Sequence, residues 1–162
     1  MENNKLPAAM VMEIPKFRAV SSGVQPIDML FDSVYEDWQT EHERLFQNVL
    51  FNCADFIYYE GENKACWLTA LKDDVTPADT APYEIIDFEG GLYAMSACVH
   101  RDFEGVKKTR LNIHNWLDNT NFVLDTSRKE LEHIAYGQNP DISEGLGYRQ
   151  LQIYIPIKLD IS

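Results

Sequence analysis

Glu13-Ile14-Pro15-Lys16-Phe17 and Glu84-Ile85-Ile86-Asp87-Phe88 carry a glutamate, an isoleucine and a phenylalanine at identical spacing. Each opens a stretch with the same order of features: an extended apolar run, an amphipathic helix, then two further strand-like runs. A duplicated βαββ unit builds one sheet with a pseudo-twofold axis, and the seam between the copies is a natural place for a pocket. The expected organisation is one α+β domain, with repeat one over about residues 10–72, a linker over about 73–82 and repeat two over about 83–159.

In repeat one, Met10 to Val24 reads as the first strand, bent or placed at an edge by Pro15. A helix is expected from about Pro26 to Leu50, because Ile27, Leu30, Phe31, Val34, Trp38, Leu45, Phe46 and Val49 recur at three and four residues and form one stripe. Trp38 then belongs to the core. Asp55 to Glu60 and Lys64 to Leu71 are strands joined by the turn-forming Gly61-Glu62-Asn63. The polar, proline-containing segment from Asp73 to Pro82 reads as the linker.

In repeat two, Tyr83 to Phe88 and Leu92 to Val99 flank Glu89-Gly90-Gly91. The second run alternates Leu92, Ala94, Ser96 and Cys98 with Tyr93, Met95, Ala97 and Val99, and both sets are largely apolar. Such a strand is covered on both sides, by a helix on one and by a ligand or loop on the other. The helix is expected over about Asp102 to Leu117, with Val106, Ile113, Trp116 and Leu117 inward and Asp102 and Glu104 in its favourable first turn. Glu130 to Tyr136 reads as a strand, the run through Gly137, Asn139, Pro140, Gly145 and Gly147 as a loop, and Tyr148 to Leu159 as the closing strand. Leu151, Ile153, Ile155, Ile157 and Leu159 share its core side, while Gln152 and Tyr154 face the other way.

Charge and composition exclude several functions. The 162 residues carry 14 Lys and Arg against 26 Asp and Glu, a net charge of −12, which leaves no basic face for nucleic acid. Cys53, Cys66 and Cys98 are too sparse for a disulfide framework or a zinc knuckle and read as thiols of a reducing, cytoplasmic protein. No apolar run reaches the length of a membrane span. His42, His100, His114 and His133 lack metal-ligand spacing and read as surface or helix-packing residues, so neither a metal nor a cofactor is expected. Gly90-Gly91 lacks the third glycine and the helix of a dinucleotide fingerprint, and no serine or cysteine sits in a nucleophile motif.

Gly90-Gly91-Leu92-Tyr93-Ala94, His114-Asn115-Trp116-Leu117, Leu131-Glu132 and Ile153-Tyr154-Ile155-Pro156-Ile157-Lys158, in this order, resemble the GyrI-like small-molecule-binding family. This is the effector-binding domain of Rob and of related AraC-type and MerR-type regulators, and the resemblance runs from about Met12 to Leu159. It implies a curved antiparallel sheet with two helices on one face and a ligand groove at the pseudo-twofold seam. In members that bind multiple drugs, an acidic side chain in an aromatic pocket meets the ligand's positive charge, and the family's glutamate position falls on Glu132. The family's aromatic two residues later is Ile134 here, with Tyr136 two further on.

A pocket carboxylate without a partner is costly, so a cationic ligand would restore the balance. Tyr93, Trp67, Tyr58 and Tyr154 are the expected walls, each offering a ring face worth about 0.5–2 kcal/mol to a cation. Glu130 shares the strand face of Glu132 and is expected to be solvated. The favoured function is binding of an amphipathic, cationic organic molecule, with a regulator protein as a possible partner that reads the bound state. Two alternatives use the same resemblance: a hydrolase of strained electrophilic natural products, with Glu132 as general base beside Tyr93 or Trp67, and a gyrase-inhibitor-like interaction protein. Binding is favoured over catalysis.

Overall fold

A computed structural model describes residues 7–31, 34–47, 55–137 and 139–162. In chain order the elements are strands β1 (Met10–Ile14), β2 (Phe17–Ser21) and β3 (Gln25–Pro26), helices α1 (Ile27–Leu30) and α2 (Val34–Glu41), a 3₁₀ turn (Glu43–Leu45), β4 (Asp55–Glu60), β5 (Lys64–Ala70), α3 (Pro77–Thr80), β6 (Glu84–Phe88), β7 (Gly91–Val99), α4 (Phe103–Leu117), β8 (Phe122–Leu124), β9 (Leu131–Ala135), α5 (Pro140–Leu146) and β10 (Gln150–Leu159). The fold is α+β, and the strand pairings within each of its two compact units are antiparallel.

The single first strand expected in repeat one is broken, as the two runs expected at the start of repeat two are separate, and in both repeats the pieces part company. Pro15 and Lys16 separate β1 from β2, while Glu89 and Gly90, the latter at φ +72°, separate β6 from β7. β1 joins residues 91–162 as unit one, and β6 stays with residues 15–90 as unit two. In unit one β1 pairs with β7, β7 with β10 and β10 with β9. In unit two β6 pairs with β2, β2 with β5 and β5 with β4, so each unit has one topology and borrows its edge strand from the other repeat.

Unit one follows the expected pattern closely. Asp102 caps α4 by accepting from the Gly105 amide, and Ile113 and Leu117 bury their side chains against Ala94, Ile153, Ile155 and Ile157. Each such side chain contributes about 1.5–3 kcal/mol when removed from water. Leu159, expected on the core side, is exposed. The loop expected after β9 contains α5, with Asn139 as N-cap, Pro140 in the first turn and Gly147 at φ +80° closing it. β8 was not expected; it pairs with the end of β10.

Unit two departs more. The single helix expected from Pro26 to Leu50 is α1, α2 and the 3₁₀ turn, and Val49 and Leu50 lie outside the described residues. α2 has Glu36 and Asp37 in its first turn but no basic residue in its last, where Glu41 opposes the helix dipole. The chain then turns extended at Phe46, which bridges to Leu71. Its buried face is also rotated: Tyr35 and Trp38 are buried, while Val34 and Phe31 are exposed. Tyr35 wins because its ring packs against Trp38 and Tyr83 and its hydroxyl reaches Thr69. The linker contains α3, begun by a reciprocal Thr76–Asp79 capping box.

Candidate functional site

Strand register divides the sheet of unit one into two faces. Ile153 is opposite Ser96 on β7 and Glu132 on β9, and Leu151 is opposite Cys98 and Ile134. These residues lie on the side covered by α4, where the aliphatic core is built. Tyr154 is opposite Met95 and Leu131, Gln152 opposite Ala97 and His133, and Pro156 opposite Tyr93, which in turn is opposite Met12. This second set forms the face turned away from α4.

The second face is rich in aromatic and polar groups. Tyr93 and Tyr154 are buried and meet edge to face, with ring centroids 6.3 Å apart. The Tyr154 hydroxyl donates to Oε1 of Gln152 at 2.7 Å, and His133, expected at the surface or in helix packing, is buried in the sheet instead. Met12, Met95 and Gln152 are partly exposed and border the buried tyrosines. The two methionine side chains are flexible and polarizable.

Arg128 covers one side of Tyr93, its guanidinium carbon 4.7 Å from the ring centroid. The Arg128 Nε donates to Oδ2 of Asp125 at 2.8 Å, and Nη2 donates to the carbonyls of Leu92 and Ile157 at 2.9 and 2.8 Å. The cover expected as ligand or loop is thus, at Tyr93, a loop residue. Burial raises the Tyr93 phenol, with the Arg128 charge opposing, so the ring stays neutral at physiological pH. The Ser127 hydroxyl, then Arg128, hold the Asp125 carboxyl well below the usual carboxylate range.

The five residues expected in one pocket do not share one face. Glu132 lies on the α4 side, opposite in direction to Tyr93 and Tyr154, because β9 places Leu131, His133 and Ala135 on the tyrosine face and Glu132 between them. Its side chain is 15% exposed and 3.9 Å from Arg110 Nη2, and the Arg110 Nε donates to Glu130 at 2.9 Å. Glu130, expected to be solvated, is therefore ion-paired. Burial and then the negative charge of Glu132 push the Cys98 thiol up. In unit two, Trp67 packs beside Tyr35 on the α2 side and donates from Nε1 to Asp55 at 2.8 Å. Tyr58 is on the other side with Phe17, Cys66, Leu68 and Phe88; burial, then its bond with Cys66, raises its phenol.

Tyr93 and Tyr154 are thus brought together, and Gln152, His133 and Arg128 join them. The period-two alternation that placed Gln152 with Tyr154 was the available signal; nothing in the spacing of Arg128 marked it. The described residues form no cluster of three metal-ligating side chains, and no described helix is long and apolar enough to cross a membrane. Cys66 is buried, Cys98 is partly exposed, neither is disulfide-bonded, and Cys53 lies outside the described residues.

No protein-family profile and no curated protein sequence matches the chain. Solved structures do. SAV2435 bound to tetraphenylphosphonium is similar over 93% of this chain and 93% of its own, at 15% identity and a TM-score of 0.54. The EcmrR C-terminal domain is similar over 93% of this chain and 97% of its own, at 12% identity and a TM-score of 0.64. A hydrolase from Listeria innocua is similar over 96% of this chain and 94% of its own, at 12% identity and a TM-score of 0.66. At these identities the likeness is one of fold, an α+β architecture built on antiparallel sheet.

Proposed function

We propose that the protein binds a small, amphipathic aromatic molecule on the tyrosine face of unit one, as an effector-binding domain does. The observation that carries this reading is the contrast between the two faces of one sheet. The α4 side holds the aliphatic core, whereas the other side carries a hydroxyl, an amide and an imidazole, from Tyr154, Gln152 and His133, in adjacent register beside the Tyr93 ring. A few polar groups in an apolar, aromatic surround are what orient a small ligand.

A lipophilic cation is the favoured ligand class. The net charge of −12 attracts cations over long range, and tyrosine ring faces bind them. The likeness to a protein bound to tetraphenylphosphonium supports the same class. Discrimination then comes from ring faces and not from Glu132, whose carboxylate lies on the other side with Arg110. Cation–π attraction of about 0.5–2 kcal/mol sets a preference for the cation over a neutral isostere of roughly 2- to 30-fold. Tetraphenylphosphonium and tetraphenylmethane derivatives made soluble by neutral groups, titrated calorimetrically, test this; equal affinity for both would remove the cation from the reading and leave the aromatic one. The alternative, a hydrolase with Glu132 as general base beside Tyr93 or Trp67, draws on the likeness to a hydrolase from Listeria innocua, but within unit one Tyr93 faces away from Glu132, which favours binding. A regulator that reads the bound state is the partner this function calls for.

A further inference from the structure

We infer that the outer edge of β6 in unit two is a docking site for an extended basic segment of a partner protein, which adds a strand antiparallel to Glu84–Phe88. Three observations meet there. Among the described residues β6 pairs with β2 alone, so its outward backbone donors and acceptors are available over five residues, about 17 Å of strand. Directly before it, Pro77, Ala81, Pro82, Tyr83, Glu84 and Ile85 line a shallow groove of about 380 Å³, continuous with the strand and large enough for a side chain of an incoming chain. Carboxylates dominate the charge: from Asp73 to Val99 the sequence has six and no lysine or arginine, and of these Glu89 is paired with Lys16 at 3.5 Å. Glu84 and Asp87 are exposed on the edge strand itself.

Acidic residues on an edge deter a second copy of this chain, whose β6 carries the same charges, and favour a basic partner. Arg18 is opposite Asp87 in the β2 register, but its guanidinium donates to the carbonyls of Asp73 and Val75. Spacing specifies the partner further. Glu84 and Asp87 are three residues apart and so lie on opposite faces of the strand. A paired antiparallel strand meets both with basic residues at i and i+3, and meets Ile85 and Ile86 with apolar residues between them. Backbone bonds supply affinity in such strand addition and side chains supply specificity.

The probe is a fluorescein-labelled, terminally blocked Thr-Lys-Val-Val-Lys-Thr peptide, titrated with the full chain at low salt by anisotropy. Saturable binding is expected, weakened at least tenfold by Glu84→Lys/Asp87→Lys and several-fold by the neutral Glu84→Gln/Asp87→Asn pair, which guards against a folding defect from charge reversal. One of the two valine N–H groups must face β6, so replacing each valine in turn with proline should abolish binding for one peptide and spare the other. Hydrogen exchange should show new protection of amides within residues 84–88. Equal binding of both proline peptides would reduce the contact to unspecific attraction and overturn the inference. So would the absence of saturable binding, or a dimer in sedimentation that the charge reversal disrupts, which would give the edge to a second copy.

Discussion

Replacing Arg128 with methionine keeps most of the apolar stem and removes the guanidinium that holds the Asp125–Arg128 turn against β7 and β10. Hydrogen bonds to the Asp125 carboxylate and to the Leu92 and Ile157 carbonyls are lost, together with the contact over Tyr93. Hydrogen bonds to charged groups contribute about 1.5–3 kcal/mol each and the ring contact about 0.5–2. The four share one donor group and are not additive. The side chains of Arg128 and Asp125 are 18% and 14% exposed, so the pair behaves as a largely buried one, for which removing one partner costs about 3–5 kcal/mol. For a chain of this length that is a fall of roughly 6–20 °C in Tm. Urea unfolding followed by circular dichroism measures it, and the Arg128→Met/Asp125→Asn double variant should lose less than the two single losses combined. A loss below about 1 kcal/mol would refute the clasp as the element that secures the tyrosine face.

Gly91→Ala should act on the same clasp: Gly91 is at φ +128°, and an added Cβ would meet the Arg128 guanidinium well inside van der Waals contact. Its destabilisation should therefore shrink in the Arg128→Met background, as thermal melts of the single and double variants will show. Ile113→Ala should cost about 2–5 kcal/mol because Ile113 is fully buried beneath α4, whereas the exposed Leu111→Ala should stay within about 0.5. The Asp125 carboxyl is held below its unfolded value, so its stabilisation is complete above that value and is lost as pH falls toward the folded one. Melting from about pH 6 down to pH 2 should fall less steeply for Asp125→Asn than for the natural chain.

The legible parts of the sequence were those where a pattern and a boundary signal coincided. α4 was readable because Asp102 caps a run whose apolar residues keep one stripe, and β10 because its isoleucines alternate through Ile157. α5 was missed although Asn139-Pro140 and Gly147 are start and stop signals, because two glycines and the absence of an apolar stripe outweighed them. The helix of repeat one was overextended because its stripe continues in sequence past Glu41, where the dipole and the Phe46–Leu71 bridge end it in space. The exchange of β1 and β6 between units carries no sequence signal, since it depends on pairing partners far along the chain. For the site, alternation separated Tyr154 from Ile153 correctly. A glutamate's identity says nothing of which face it occupies, and that depended on the register of β9 against β10, fixed by Ile153 opposite Glu132.

The most direct test of ligand binding on the tyrosine face is calorimetric titration of tetraphenylphosphonium into the natural chain, Tyr154→Ala and Glu132→Gln. The tyrosine-face account predicts affinity at least tenfold weaker for Tyr154→Ala, from loss of its ring face and of the hydroxyl that orients Gln152, and within about threefold of natural for Glu132→Gln. Binding abolished by Glu132→Gln and untouched by Tyr154→Ala would contradict it and move the site to the α4 side of the sheet.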